Sequence, residues 1–156
     1  MPITMNRKTA NISLTCTDKK ITSLKDCHSQ WLVLYVYPKD NTPGCTKESI
    51  AFNEHLEAFQ SLNARIIGVS RDSMTSHQRF IEKHDLRFPL ISDEASTLCD
   101  YLDVIRSKSM YGKTFLGIER STFLIDPTGV LRKEWRKVKV KGHAETVLDV
   151  LQELSE

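Results

Sequence analysis

The chain has 156 residues, of which 40% are hydrophobic and 27% are charged, and its 22 basic and 20 acidic residues leave a formal charge of +2. A chain of this length buries roughly two-thirds of its unfolded surface in one core, so we expect a single globular domain over residues 1–156. The near balance of charges gives no support to nucleic acid or a strongly acidic ligand as a partner.

The amino-terminal ten residues are polar and lack the apolar core of a secretory signal. No stretch approaches the ~18 apolar residues of a membrane span. We therefore expect no membrane partner and a cytoplasmic location, where lasting disulfides are rare and cysteines are thiols. The four cysteines are Cys16, Cys27, Cys45 and Cys99. No two of them form a C-x-x-C pair, which disfavours a zinc ribbon or a dithiol oxidoreductase.

The first third of the chain predicts a hairpin, a buried strand and a long helix. Residues 10–24 favour two short strands joined by a turn, an N-terminal β-hairpin. Trp31–Tyr37 is a run of large apolar and aromatic residues that predicts a central strand buried on both faces, and Pro38 ends it. Apolar residues then recur at helical spacing, which predicts a helix from about Pro43 to Leu62.

The remaining elements alternate between strands and helices. In order they are a strand over 65–69, a helix over 73–84, a short extended segment over 88–91, a short helix over 95–102, a mostly irregular stretch over 106–118, a strand over 121–125 with its hairpin partner within 130–140, and a last helix containing 144–151. This alternation predicts an α/β, thioredoxin-like fold, in which a central mixed β-sheet is flanked by helices.

The chemistry is expected at Cys45, which follows the buried strand and falls in the first turn of the first helix. Unpaired backbone N–H groups and the helix dipole stabilise an anion at such a position, and the thiolate is the reactive form of cysteine. A thiolate that attacks a peroxide also needs donors and a positive charge for the departing oxygen, and Thr42 and Arg120 are placed to provide them. Pro43 fixes the backbone at the helix start. The alternative is that Cys45 is a small buried apolar residue after an ordinary Thr-Pro helix cap.

The surrounding residues favour the chemical interpretation, because they resemble a known signature. Tyr37–Asp40 followed by Thr42–Thr46 and Glu48 is similar to the signature of peroxiredoxins of the bacterioferritin-comigratory type, also called peroxiredoxin Q. The similarity continues through Ser92–Asp93, Met110–Lys113, Gly117–Asp126 and Gly142–Ala144, nearly the whole chain in the same order.

This resemblance implies that Cys45 is the peroxidatic cysteine and that it becomes a sulfenic acid. It also implies that Thr42, Pro43, Gly44 and Arg120 form the peroxide site, with Pro43 shielding the sulfenic acid. It further implies hydrogen peroxide and organic hydroperoxides as substrates, no metal, haem or flavin cofactor, and recycling by thioredoxin or another thiol reductant, including glutaredoxin or glutathione. A monomer is expected rather than a stable oligomer.

The sequence departs from this pattern at the resolving cysteine. Many members of the group carry it five residues after the first, where this chain has Ile50, or on the next helix around residues 80–82, where it has no cysteine. The remaining candidates are Cys99, Cys16, Cys27 and an external thiol. Cys99 is the first internal candidate, although its spacing fits a core residue equally well.

Two other features have plain structural interpretations. Cys27 and His28 are adjacent, but such a pair is usually incidental, and we predict no metal site. The other histidines, His55, His77, His84 and His143, form no metal-binding pattern and are predicted at the surface or at helix ends.

The leading function is therefore a thiol-dependent peroxidase that serves antioxidant defence and redox homeostasis. The alternative is a peroxide-sensing redox relay or chaperone-like binding protein that uses the same cysteine.

Overall fold

The computed structural model describes all 156 residues, and a five-stranded mixed sheet lies at its centre. The strands of this sheet are β1 (Trp31–Val36), β2 (Ala64–Ser70), β3 (Leu90–Ser92), β6 (Ser121–Ile125) and β7 (Leu131–Trp135), and their order is β3-β2-β1-β6-β7. β1, β2 and β3 are parallel, whereas β6 is antiparallel to both β1 and β7. The predicted mixed central sheet is confirmed.

The helices are shorter than the sequence pattern predicts. They are α1 (Pro43–Glu54), α2 (Leu56–Ser61), α3 (Met74–His84), α4 (Thr97–Leu102) and α5 (His143–Leu154). The single helix predicted over 43–62 is two helices, since the chain turns at His55. Ser73 caps α3, because its hydroxyl accepts from the Ser76 N–H at 3.1 Å. No helix is both long and apolar enough to cross a membrane.

Two hydrophobic cores lie on opposite faces of the sheet. Side chains alternate between the faces of a strand, so Val33 and Tyr35 of β1 lie in one core, while Leu32 and Leu34 lie in the other. The first core also receives α1, α2, α3 and α5, and the second receives α4 and the amino-terminal segment. All six residues of β1 are buried, as the sequence predicts.

The predicted N-terminal hairpin is present only as a minimal antiparallel pair. Ser13 and Ser23 form an isolated bridge, and the Leu14 N–H donates to the Thr22 carbonyl at 2.8 Å, but no regular strands form. The chain instead turns towards the free edge of β3, where Cys16 pairs with Ile91. This contact covers an edge that would otherwise have unpaired backbone groups.

The stretch over 106–118 was predicted to be mostly irregular, and this prediction is wrong. It forms a separate hairpin of β4 (Ile105–Met110) and β5 (Lys113–Ile118). Tyr111 and Gly112 make the two-residue turn with φ of 52° and 76°, the left-handed values that such turns require. Most side chains of the hairpin are exposed, so the apolar alternation that marks a half-buried strand is missing.

Candidate active site

Cys45 lies in the first turn of α1, at the carboxyl end of β1. Thr42 precedes the helix in an extended conformation and Pro43 is its first residue. The first backbone hydrogen bond of the helix runs from the Thr46 N–H to the Thr42 carbonyl at 2.9 Å. The N–H groups of Gly44 and Cys45 precede this bond, and they add to the positive end of the helix dipole beside the sulfur.

Arg120, which the sequence predicts to supply a positive charge, lies beside the sulfur. It lies between β5 and β6, and its Nη2 is 3.3 Å from Cys45 Sγ. Burial alone would lower the pKa of Arg120, but the nearby charges of Glu48 and Cys45 raise it, so the guanidinium stays protonated. Gly44 permits this approach, because a β-carbon there would lie 3.2 Å from the same Nη2 atom. Cys45 itself is only 1% exposed.

Glu48 holds the other side of the guanidinium, and sequence reasoning gave it no role. Its Oε1 accepts from Arg120 Nη1 at 2.7 Å, while its Oε2 is buried without a partner. Burial outweighs the attraction of Arg120 and raises the pKa of Glu48 to about 7. Helical spacing could have indicated that Glu48 lies near the sulfur, since a residue three positions after Cys45 lies on the same face of α1.

Thr42 and Pro43 lie directly before Gly44 and Cys45, where the loop leads into α1. The Thr42 hydroxyl donates to the Lys39 carbonyl at 2.8 Å. Its proton is thereby occupied, and its lone pairs remain free to accept a hydrogen bond. Pro43 is exposed.

A buried polar network anchors this loop through Asp40. The carboxylate of Asp40 accepts from the Tyr37 hydroxyl at 2.6 Å and from the Ser76 hydroxyl at 2.8 Å, and it lies 2.8 Å from His77 Nδ1. The other ring nitrogen of His77 lies 2.9 Å from the Ile91 carbonyl. Burial alone would raise the pKa of Asp40. These hydrogen bonds, of which the one with His77 has the largest effect, instead hold the pKa of Asp40 below its usual range.

The network also brings together the residues best placed to hold a metal. Ligand atoms of Asp40, Asp72 and His77 lie within 4.8 Å of one another. Each group is already hydrogen-bonded to protein, however, and Asp72 accepts from the Asp40 N–H at 2.8 Å and the Ser70 hydroxyl at 2.6 Å. The arrangement therefore fits proton sharing within the protein better than metal ligation.

Two histidines are more buried than predicted. His77 is 0% exposed and lies within α3, so its predicted position at the surface or at a helix end is wrong. His143 begins α5, as predicted, but it is only 6% exposed. His143 Nε2 lies 2.7 Å from the Thr122 hydroxyl. Burial, aided by the charge of Arg120, lowers the pKa of His143 to about 4. The ring is therefore neutral near pH 7.

The other three cysteines lie in the core on the opposite face of the sheet from Cys45. All four are free and buried. Cys99 is in α4 and is fully buried, and burial together with the charge of Asp93 raises its pKa. Burial raises the pKa of Cys16, and it raises that of Cys27 to about 11. The structure thus brings Cys45, Gly44 and Arg120 together but places Cys99 elsewhere.

A sulfur at a helix start, beside a protonated guanidinium, suits attack on an electrophile whose departing atom becomes negative. No second cysteine lies beside it to form a dithiol pair. Within a mixed sheet flanked by helices on both faces, this combination defines a thiol-dependent peroxidase.

Comparison with known proteins identifies the family. The chain belongs to the AhpC/TSA family, whose model matches residues 5–134. It is 46% identical to peroxiredoxin Bcp of Bacillus subtilis over 156 residues, which covers 100% of this chain and 99% of that protein. It is 50% identical to peroxiredoxin Bcp of Xanthomonas campestris over 144 residues, 92% of this chain and 90% of that one.

A solved structure of the Xanthomonas campestris bacterioferritin comigratory protein, described for its alkyl peroxide reduction activity, matches with a TM-score of 0.88 at 48% identity. The match covers 93% of this chain and 92% of that one. The resemblance to peroxiredoxin Q is therefore confirmed, as are the thioredoxin-like fold and the assignment of the chain as a peroxidase.

Proposed function

We propose that this chain reduces hydrogen peroxide and organic hydroperoxides at Cys45. The observation that supports this most directly is the position of the Arg120 guanidinium. Its Nη2 lies 3.3 Å from Cys45 Sγ, and its Nη1 donates to Glu48 Oε1 at 2.7 Å. A guanidinium held in this way stabilises a thiolate and the negative charge that develops during attack. The Xanthomonas campestris relative, with its alkyl peroxide reduction activity, supports organic hydroperoxides as substrates.

In the first step the Cys45 thiolate attacks the terminal oxygen of the hydroperoxide. A sulfur–oxygen bond forms and the oxygen–oxygen bond breaks, so the sulfur is oxidised to a sulfenic acid. The departing alkoxide or hydroxide takes a proton from solvent water and leaves as an alcohol or as water. Arg120 and the N–H groups of Gly44 and Cys45 stabilise the departing oxygen. The Thr42 hydroxyl donates a hydrogen bond to the Lys39 carbonyl. Its oxygen therefore accepts a hydrogen bond from the O–H of the incoming hydroperoxide.

In the second step an external thiol resolves the sulfenic acid. The reductant's thiolate attacks the Cys45 sulfur, a mixed disulfide forms and water leaves, and a second thiol then releases Cys45 and takes up the disulfide. This is a one-cysteine cycle. Its support is the position of Cys99, Cys16 and Cys27 in the other core, from which any of them would need local unfolding to reach Cys45.

We propose thioredoxin as the reductant, with glutaredoxin or glutathione as the other candidates. We further propose a monomer that works in the cytoplasm. The four unpaired thiols support a reducing compartment.

The test is peroxide consumption with dithiothreitol as reductant. The Cys45→Ser variant is expected to lose all activity, and Cys99→Ser, the matched control, is expected to keep it. Intact mass after one equivalent of peroxide then distinguishes the cycles, since an external resolver leaves a protein with one added oxygen and an internal one leaves a protein with two hydrogens fewer. Full activity in Cys45→Ser would refute the proposed site. An internal disulfide that Cys99→Ser abolishes would refute the one-cysteine cycle.

A further inference from the structure

The β4–β5 hairpin exposes a group of large apolar side chains. Their exposed fractions are 58% for Met110, 97% for Tyr111, 44% for Phe115 and 66% for Leu116. We refer to these four residues as the hairpin surface. The hairpin is a two-stranded sheet separate from the central one. Three of the four residues, Met110, Phe115 and Leu116, line one cavity, and a contiguous apolar patch exposed on a small protein often marks an interaction site.

The hairpin surface adjoins the loop that leads to Cys45. Pro38 and Lys39 of that loop line one cavity of about 520 Å³ together with Met110, Phe115 and Leu116. Arg71 ties the hairpin to the end of β2, since its Nη2 donates to the Leu116 carbonyl at 3.1 Å. The chain then continues from β5 directly to Arg120. A partner bound here would contact both the loop before the reactive cysteine and the strand that precedes the arginine.

The charged side chains that line this cavity are all basic. Lys39, Arg71 and Lys108 line the cavity, Lys113 lies beside the turn, and no acidic side chain lines the cavity. A complementary partner has an apolar contact patch surrounded by carboxylates. A second copy of this chain fits poorly, because a symmetric contact would place the same lysines and arginine opposite one another.

We propose that the hairpin surface is the docking site of the dithiol protein that reduces oxidised Cys45, and that this reductant has an acidic rim around an apolar patch. The inference rests on the proposed function of Cys45. Because Cys45 is only 1% exposed, a protein thiol can reach its sulfur only after a local opening of the site. A partner anchored on Lys39 and the hairpin is placed to hold that open state. Its thiolate then attacks the sulfenic sulfur, the sulfur–sulfur bond forms and water leaves.

The experiment compares a protein reductant with a small one. The variants are the double substitution Tyr111→Ser with Leu116→Ser, and the charge reversal Lys108→Glu. The control is Lys20→Glu, which makes the same charge change in the exposed amino-terminal turn. Each protein is assayed at limiting thioredoxin, as the acidic dithiol probe, and separately with dithiothreitol. Oxidation of Cys45 by peroxide is measured in a single turnover without reductant.

Both hairpin variants are expected to lower kcat/KM for thioredoxin by about tenfold or more, as for residues central to an interface. Oxidation by peroxide and reduction by dithiothreitol should stay as in the wild type, and Lys20→Glu should change none of the three. The thioredoxin reaction of the wild type should slow with added salt, and Lys108→Glu should weaken that dependence.

Unchanged thioredoxin kinetics in both hairpin variants would overturn the docking proposal. The proposal would also be overturned if the double substitution abolished a concentration-dependent dimer, or binding to anionic vesicles, but left the thioredoxin kinetics unchanged. Failure of the proposed function would give a distinct result, because peroxide would then not oxidise Cys45 of the wild type in the single-turnover experiment.

Discussion

Replacement of Glu48 by Gln tests whether burial keeps a proton on the carboxyl group that contacts Arg120. The substitution keeps an oxygen for Arg120 but removes the titration. The pKa of Glu48 rises from 4.5 to about 7 on folding. At ~1.4 kcal/mol per pH unit, this difference corresponds to about 3 kcal/mol of unfolding free energy. Because the folded state holds the proton more tightly, this contribution is fully present below pH 4.5 and is lost as the pH rises to about 7.

The assay is urea unfolding of wild type and Glu48→Gln between pH 4.5 and 8, followed by the fluorescence of Trp31 and Trp135. Other titrating groups contribute to both proteins and cancel in the difference. The unfolding free energy of the wild type should therefore fall by about 3 kcal/mol more than that of Glu48→Gln over this range. Curves that run parallel would show that Glu48 is ionised throughout, and the description of this carboxyl group would be wrong.

Three further substitutions test the surroundings of the site. The pKa of His143 is lowered from 6.5 to about 4, so the wild type should lose stability relative to His143→Gln as the pH falls through this window, measured by urea unfolding. Replacing His77 by Phe leaves Asp40 without its ring donor and should cost about 1–3 kcal/mol in unfolding free energy, whereas His77→Gln should recover part of the loss. In Gly68→Ala the new β-carbon would lie 2.7 Å from the Tyr35 ring, and crowding in this core should cost about 1–3 kcal/mol and lower the melting temperature.

The sequence predicts the central elements well because their apolar patterns are strong. β1 is buried along its whole length, so the seven-residue apolar run that contains it, Trp31–Tyr37, is visible without any structure. The β4–β5 hairpin was missed for the opposite reason, since its strands pack little against either core. Its turn also uses Tyr111 rather than the Asn or Asp that usually precedes glycine in such turns. A surface element has no burial pattern to reveal it.

The predicted site is partly visible in the sequence for similar reasons. Thr42, Gly44 and Cys45 are local neighbours, and the helix start that groups them follows from the Thr-Pro pair. Arg120 is 75 residues away along the chain, and the resemblance to a known family was the firmest reason to bring it to the sulfur. Glu48 and His77 were overlooked, because a polar residue in a helical pattern ordinarily faces solvent. Their burial depends on Arg120 and Asp40, which only the folded chain brings to them.

The division of the cysteines between two cores connects the proposed cycle with the hairpin surface. Adjacent layers of a packed domain lie on the order of 10 Å apart, and α1 and α4 pack against opposite faces of the same sheet. A disulfide requires α-carbons roughly 5.5–6 Å apart, so Cys99 can reach Cys45 only if helices leave the sheet. An external reductant needs only a local opening of the site, next to the loop that leads into α1, and this is a smaller disruption. In this arrangement a binding surface beside that loop serves the reduction of Cys45 better than a second thiol in the other core, and we propose the hairpin as that surface.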